Sequence, residues 1–437
     1  MKKEVNLKVH GNILKLNVLE SFHVLLLIII LLWFSNEFVR TSISFYVISF
    51  IYLIWITLSI LRRPKFIDII LGSSLFLILW VLSVISRSLI RNSGLSYEVI
   101  YSITLLMILT LFLYYKDKGI RIKKIIFFTI MIGYISTGIV TLVFLNIDPD
   151  LVRYAGAGLT QTEGLINEYG NGIKFIGSWD YIYSLVGTVI ICILIALVNI
   201  KTRISLIYFI LAIFFTIIVF QSSLSTAIFL LLILIVLILI PKRKKMKIMY
   251  FSLILTILAL LVPLSQIIIS FLSLIIDNPA YFYKIIEFQK LLSGEYQSFS
   301  QFYGRSDLVA NSLVTFIKNP LLGVYGILPY EMVSNHNIVS GHSQWFDDLA
   351  RYGIISSMFF WIGIFKISKV LRKYASSRIH KKFVNIILLY VLLLGFLNPA
   401  LLTHIFILVF LVLPFSSSIG RVQEKDDSNI IVKTKIG

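Results

Sequence analysis

Residues 181–200 read YIYSLVGTVIICILIALVNI, an apolar run without a single charged side chain. A helix of about 20 such residues is long enough to cross the hydrocarbon core of a bilayer. Similar runs lie on both sides of it, at 22–39, 43–61, 66–86, 97–115, 125–145, 204–220, 222–240, 248–271, 354–371, 383–400 and 401–420. Hydrophobic residues make up 58% of the chain and its mean hydropathy is +0.93, values typical of membrane proteins. The sequence therefore predicts an all-α polytopic membrane protein with about twelve transmembrane helices.

Basic residues are distributed unevenly among the loops that connect these runs. With both termini in the cytoplasm, about three quarters of the 40 Lys and Arg residues fall on the inner side, and about two thirds of the 21 acidic residues fall outside. The net charge of +19 then reflects topology and the anionic inner leaflet, so no nucleic-acid partner is needed to explain it. The lone Cys192 excludes an intramolecular disulfide and a cysteine metal site.

This topology leaves two long outer loops, which we expect to carry short interfacial helices. The predicted units are transmembrane helices 1–5 (1–145), a first outer loop (146–180), transmembrane helices 6–9 (181–276), a second outer loop (277–353), transmembrane helices 10–12 (354–420) and a cytoplasmic tail (421–437). Chemistry in the outer loops argues against cytoplasmic nucleotide sugars or ATP as direct substrates. A glycine-rich phosphate loop is also absent from the sequence.

The first outer loop is rich in Gly, Asn and Pro, and its cations are Arg153 and Lys174. A guanidinium group beside a flexible glycine turn can bind a phosphate through two parallel hydrogen bonds. Arg153 is therefore a candidate for binding an anionic substrate. The alternative is that it pairs with Asp148 or Asp150 and only fixes the loop.

In the second outer loop, the apolar spacing from Ser306 to Lys318 predicts an amphipathic helix on the membrane surface. Arg305 would then lie at the helix N-terminus, where free backbone N–H groups favour an anion. Contact between Arg305 and lipid headgroups is the alternative. Asn319-Pro320 would end the helix, because proline cannot continue it.

Three histidines lie on the predicted outer side. His342 opens a helical pattern, and in a first turn the positive end of the helix dipole would keep it neutral, as a general base requires. His336 lies in a polar loop and His404 lies near an outer hairpin, and both are weaker candidates. Asp347 and Arg351 are spaced to form an intrahelical pair. The three histidines lack metal-site spacing, so no metal or other cofactor is expected.

The second outer loop resembles a known family. Arg305, the segment Asn319-Pro320-Leu321-Leu322-Gly323, the segment Gly341-His342-Ser343-Gln344-Trp345-Phe346-Asp347-Asp348-Leu349 and Tyr352-Gly353-Ile354 look like the signature of the O-antigen and capsular polysaccharide polymerases (Wzy type), which are related to the O-antigen ligases. The architectural likeness covers most of the chain, whereas the motif residues lie within 305–354. The match of Arg153 and Gly156 to the family's first loop is looser.

The resemblance implies a GT-C-like, metal-independent glycosyltransferase of the bacterial cytoplasmic membrane. It would transfer a growing glycan from undecaprenyl diphosphate to a lipid-linked repeat unit at the outer face, in O-antigen, capsule or exopolysaccharide synthesis. Arg153 and Arg305 would bind the diphosphate, and His342 would bind or deprotonate the acceptor hydroxyl. Tyr330 and Glu331 would shape the sugar site. The substrate-binding candidates also include Gln344 and Asp347 of the shared motif, and the implied partners are membrane lipid, a chain-length regulator and a flippase.

Two other classes share this architecture. A lipid-linked oligosaccharide flippase would hold charged residues inside its spans, around a central cavity. Charged residues within the predicted spans are nearly absent, and Glu37 and Asp68 both lie close to a membrane edge, which favours an enzyme. An O-antigen ligase-type transferase is the closer alternative, because the same residues would serve it.

Overall fold

The computed structural model describes residues 4–9, 12–90, 97–156, 163–200, 202–222, 224–240, 300–324, 339, 341–375 and 377–419 of the chain. The ninth predicted span (248–271), about half of the second outer loop and the tail (421–437) lie outside these residues. The candidates Tyr330, Glu331 and His336 lie outside them as well.

The described chain is helical from Val18 onward. Its helices are α1 (Val18–Ser35), α2 (Glu37–Ser42), α3 (Phe45–Arg62), α4 (Phe66–Ile90), α5 (Tyr97–Tyr115), α6 (Ile120–Leu145), α7 (Leu151–Gly156), α8 (Glu163–Tyr169), a 3₁₀ turn (Asn171–Phe175), α9 (Trp179–Val198), α10 (Arg203–Gln221), α11 (Ser225–Leu239), α12 (Ser300–Lys318), α13 (Gln344–Tyr374), α14 (Arg378–Leu397), α15 (Thr403–Ile407), a π-helical stretch (Leu408–Val412) and α16 (Leu413–Ser416). Before them, β1 (Glu4–Val9) and β2 (Asn12–Asn17) form an antiparallel hairpin that pairs Glu4 with Asn17 and Val9 with Asn12.

Among the described residues, eight helices are long and apolar enough to cross a membrane, namely α3, α4, α5, α6, α9, α10, α13 and α14. Three more predicted runs form shorter apolar helices, at Leu19–Ser35, Ser225–Leu239 and Thr403–Ser416. Each apolar run that falls on described residues is therefore helical. This agreement follows because a membrane-spanning helix satisfies all its backbone hydrogen bonds locally, so a single apolar run determines it.

The first predicted span, 22–39, is interrupted. α1 ends at Ser35, and the side chain of Asn36 caps α2 by accepting a hydrogen bond from the Val39 N–H at 3.0 Å. The Asn36 amide also donates to the Ser136 hydroxyl of α6. Asparagine favours such caps because its side chain competes for backbone hydrogen bonds. The break places Glu37 inside the bundle, against α6.

Helix α9 forms the centre of the bundle. Of its span, 83% of the residues are buried, compared with 17% for α3, so α3 belongs to the periphery. α9 packs against α10, α11, α14 and α15. The side chains that reach inward from α9 therefore meet groups from several helices.

Helix α13 is broken at Gly353, where φ is 67° and ψ is −178°. This conformation is essentially restricted to glycine. The turn that follows α12 fills the break: the Ile354 N–H donates to the Pro320 carbonyl at 2.8 Å, and the Val324 N–H donates to the Ala350 carbonyl at 2.9 Å. The turn after α12 is thereby joined to the start of a membrane helix.

Charged side chains from two other helices hold the same break. The Arg87 guanidinium of α4 donates to the Tyr352 carbonyl at 2.8 Å, a group that the break frees from the helix. It also stacks 5.2 Å from the centre of the Tyr352 ring. Glu98 of α5 accepts hydrogen bonds from Arg351 and from the Tyr352 hydroxyl. These contacts fix the first turns of α13, where the sequence motif lies.

Candidate functional site

A buried group of ionisable side chains lies where α2, α9 and α15 meet. It contains Glu37, Asp180 and His404, whose exposed fractions are 8%, 3% and 0%. His404 Nδ1 lies 3.0 Å from Asp180 Oδ2, and Nε2 lies 3.7 Å from Glu37 Oε1. Arg40 pairs with the same Glu37 oxygen at 3.3 Å. We refer to Glu37, Arg40, Asp180 and His404 as the acid–histidine cluster.

Backbone and tyrosine contacts hold this cluster in place. The Glu37 N–H donates to the Thr137 hydroxyl at 3.1 Å, and the Tyr134 hydroxyl donates to the His404 carbonyl at 3.2 Å. The Tyr181 hydroxyl in turn donates to the Tyr134 carbonyl at 2.6 Å. Asp180 lies in the first turn of α9, where free N–H groups favour a carboxylate. The cluster is thus built by α6 as well as by the three helices that carry it.

The start of α13 forms a second polar group. Ser343 is the N-cap residue, and Asp347 accepts hydrogen bonds from the Ser343 N–H at 3.1 Å and from the Ser312 hydroxyl of α12 at 2.7 Å. The Gln344 side-chain amide donates to Asp348 at 2.9 Å. Both oxygens of Asp347 therefore bind protein groups, and one of these bonds docks α12 onto α13.

An apolar cavity of about 510 Å³ lies beside this second group, between α13, α14 and the segment 400–410. Trp345, Phe360, Leu392 and Phe406 contribute to its wall. Gln344, which precedes Trp345, accepts hydrogen bonds from the N–H groups of residues 400 and 401 at the same end of the cavity, at 3.1 and 3.2 Å. α13 and α14 are both candidate membrane spans, and Ser368 and Arg372, toward the other end of α13, also line the cavity.

The structure corrects three details of the second outer loop. α12 begins at Ser300, so Arg305 is its sixth residue and lies beyond the first turn, where the free N–H groups are. His342 is exposed and precedes the N-cap Ser343, so it lies just outside α13 and not in its first turn. Arg351 pairs with Glu98 of α5, a partner that helical spacing could not indicate.

In the first outer loop, Arg153 forms an ion pair with Asp150, which is one of the two partners named as the alternative to anion binding. Its guanidinium lies 3.5 Å from Asp150, and both side chains are nearly half exposed. Lys174 is half-buried in the 3₁₀ turn Asn171–Phe175. This turn and the start of α13 belong to different segments of the chain. Nearby, hydrogen bonding to Glu168 and partial burial raise the pKa of Tyr169 to about 12. The loop keeps its shape through a small apolar cluster of Leu151, Ile173 and Ile176.

More ionisable side chains lie inside the helix bundle than the sequence predicts. Asp180 falls in the predicted first outer loop and His404 is one of the weaker candidates, yet both are buried within the helices. The sequence pattern predicts no role for Arg87 or Glu98. These buried charges have one signal in the sequence: each charged residue lies within one turn of the end of a predicted span. Such residues either reach the membrane interface or pair with a buried partner.

A comparison with protein-family models finds no match to this chain, and a search of curated proteins finds none either. The described residues contain no group of three or more His, Cys, Asp or Glu side chains arranged to hold a metal ion. The class of protein therefore rests on the fold: eight helices among the described residues are long and apolar enough to cross a membrane, which indicates a multi-pass membrane protein.

Proposed function

We propose that the protein is a polysaccharide polymerase that acts on lipid-linked substrates at the outer face of the bacterial cytoplasmic membrane. It transfers a growing glycan from undecaprenyl diphosphate to a repeat unit on a second lipid, in O-antigen, capsule or exopolysaccharide synthesis. A chain-length regulator and a flippase are its proposed partners, beside membrane lipid. The proposal includes about twelve spans in a GT-C-like arrangement, with both termini in the cytoplasm.

The observation that carries the proposal is the apolar cavity below the polar start of α13. A lipid-linked glycan has a long apolar chain and a charged, hydroxyl-rich headgroup, so its site must combine a hydrocarbon-lined space with polar groups at one end. The cavity of about 510 Å³ falls within the range of small-molecule sites. Within the segment Gly341–Asp348, Trp345 lines the cavity, and the Gln344 side chain accepts hydrogen bonds from the N–H groups of residues 400 and 401, which also line it.

Docking of α12 onto α13 supports the same site. The bond between Ser312 and Asp347 holds the two helices together, and His342 precedes the N-cap of α13. Arg305 is seven residues before Ser312, about 10 Å along the helix axis. This distance is compatible with a ligand that spans a diphosphate and a sugar.

The proposed roles come from the resemblance to the polysaccharide polymerases, and they are compatible with this arrangement. Arg305, with Arg153 as a second candidate, binds the donor diphosphate and stabilises it as the leaving group, so that no metal is required. His342, exposed at the start of α13, takes the proton of the acceptor hydroxyl. Tyr330 and Glu331 contribute to the sugar site.

A second candidate function is favoured by a different observation. A lipid-linked oligosaccharide flippase requires ionisable groups within the bundle, and the acid–histidine cluster supplies them. An O-antigen ligase-type transferase would use the same residues as a polymerase. The product of the reaction distinguishes the three: a ladder of chain lengths, transfer to a different acceptor, or movement without new bonds.

The experiment uses the purified protein in liposomes with a lipid-linked single repeat unit. We expect a ladder of glycans in the absence of added metal and in EDTA. Arg305→Lys should be nearly as damaging as Arg305→Ala, because lysine keeps the charge but loses the two-bond geometry. His342→Ala should lower turnover by about 10²–10⁴-fold.

Matched controls are Arg378→Lys, at the opposite end of the bundle, and His336→Ala, both at equal protein levels. If the wild type forms no ladder but moves the substrate across the bilayer, the flippase replaces the polymerase. Wild-type activity in both Arg305→Lys and His342→Ala would place the site elsewhere.

A further inference from the structure

The apolar cavity between α13 and α14 is about as long as the lipid chains of one leaflet. Its wall on α13 runs from Phe360 to Arg372, a separation of twelve positions that corresponds to about 18 Å along the helix axis. The hydrocarbon core of a bilayer is about 30 Å thick, so the chains of one leaflet span about 15 Å. A single acyl chain therefore fits the length of this cavity.

One wall of the cavity reaches the surface of the bundle. Trp361 and Phe365 line it from α13, and they are 38% and 56% exposed. The opposite wall is buried and includes Ile405 and Phe406. Because α13 is a candidate membrane span, a chain in the bilayer could enter from the exposed side and lie against the buried apolar side chains.

A charged group lies at one end of the cavity. Arg372, in the last turn of α13, lines it, and its Nε donates a hydrogen bond to Asn385 Oδ1 of α14 at 2.9 Å. This bond uses one N–H group of the guanidinium, and the described ion pairs do not include Arg372. Asn385 therefore orients a guanidinium that can still bind a phosphate through two parallel hydrogen bonds.

The chain around Arg372 is basic without interruption. The segment 366–382 holds seven Lys and Arg residues and no Asp or Glu, namely Lys366, Lys369, Arg372, Lys373, Arg378, Lys381 and Lys382. Such an excess predicts the cytoplasmic side of the membrane, where the leaflet contains anionic lipids. Basic pockets between membrane helices on this side bind anionic lipid headgroups. A headgroup site and an apolar chain site are thus adjacent.

We propose that this cavity binds one anionic phospholipid of the inner leaflet. Arg372 binds its phosphate and is held in position by Asn385. One acyl chain follows α13 toward Phe360 and ends near Trp345, whose ring lies 4.7 Å from that of Trp361. In the proposed function the substrate's lipid chain uses the same space, so the phospholipid would leave when substrate binds. The phospholipid site itself does not depend on glycan transfer.

The test measures quenching of tryptophan fluorescence by lipids with bromine in the acyl chain, because bromine quenches the rings that it contacts. The full-length protein is placed in phosphatidylcholine liposomes with a minor fraction of brominated phosphatidylglycerol, or with the same fraction of brominated phosphatidylcholine. We expect stronger quenching by the anionic lipid. Trp361→Phe should remove much of this excess, whereas Trp179→Phe, outside the cavity wall, should retain it.

Two matched variants test the headgroup contact. Arg372→Gln should lower the apparent affinity for the anionic lipid by about tenfold or more, because hydrogen bonds to a charged group are lost. Arg378→Gln removes the same charge from the same basic segment, but from a position that does not line the cavity. It should retain most of the excess quenching.

Equal quenching of the wild type by the two brominated lipids would overturn the proposal, and this outcome does not depend on the folding of a variant. An equal loss in Arg372→Gln and Arg378→Gln would also overturn it, because the basic surface would then attract anionic lipid without a specific site. The liposomes contain no glycan substrate. A negative result here therefore leaves the polymerase proposal standing, and a missing glycan ladder leaves the phospholipid site standing.

Discussion

Replacing Gly353 by alanine should destabilise the protein where α13 is broken. A Cβ at this position would lie 2.5 Å from the Leu322 backbone nitrogen and would overlap the Leu321 carbonyl. Neither neighbour is the flexible end of a side chain, so the turn itself must move. The positive φ of 67° adds a conformational cost for any residue with a Cβ.

The magnitude follows from these two contributions. Holding alanine at this φ and ψ costs about 1–3 kcal/mol. Moving the turn breaks the hydrogen bonds Ile354–Pro320 and Val324–Ala350, each worth about 0.5–1.5 kcal/mol. The total is about 2–6 kcal/mol. With an unfolding entropy of about 2.1 cal/mol/K per residue over the chain, the unfolding midpoint should fall by about 2–6 °C.

The protein carries a natural reporter for the measurement. Cys192 is the chain's single cysteine and is buried in α9, so it reacts with a maleimide dye only after unfolding. Heating the purified protein in detergent with the dye gives the midpoint. Gly72→Ala is the matched control, because a Cβ there meets nothing within 4 Å and alanine favours the helix by about 0.5–1 kcal/mol.

The expected order of midpoints is Gly72→Ala at or above the wild type, and Gly353→Ala clearly below both. A Gly353→Ala protein that unfolds at the wild-type temperature would refute the close approach of the turn and the break. It would also contradict the packing of α12 against α13.

Two further predictions concern topology and an ion pair. The topology is tested in a Cys192→Ser background, with an impermeant maleimide added outside intact cells. A cysteine that replaces Glu168 should react and one that replaces Lys118 should not, because basic segments stay inside. The reverse pattern of labelling would contradict the proposed orientation. Glu98→Gln and Arg351→Met should each lower the free energy of unfolding by about 1–3 kcal/mol, because each leaves a partly buried charge unpaired. The double variant should lose at least about 0.5 kcal/mol less than the sum of the two, and strict additivity would contradict the pair.

The sequence predicted the helices well and the polar contacts poorly. The runs 43–61, 66–86 and 204–220 fall on α3, α4 and α10 with boundaries within a few residues. Two breaks shape the spans: Asn36 separates α1 from α2 within the run 22–39, and Gly353 breaks α13 directly before the predicted span 354–371. Both residues interrupt a helix because of hydrogen bonds to other helices, and a local apolar pattern carries no information about those partners.

What the sequence determined by itself is the class of protein and the position of most spans. An apolar run of about 20 residues must form a helix in a bilayer, because no solvent there can satisfy its backbone groups. The tertiary structure decided which polar groups meet. Asp180 and His404 are 224 positions apart, and they touch because α9 occupies the centre of the bundle and α15 packs against it. Helical periodicity defines the faces of a helix, whereas side-chain packing between helices selects which faces come together.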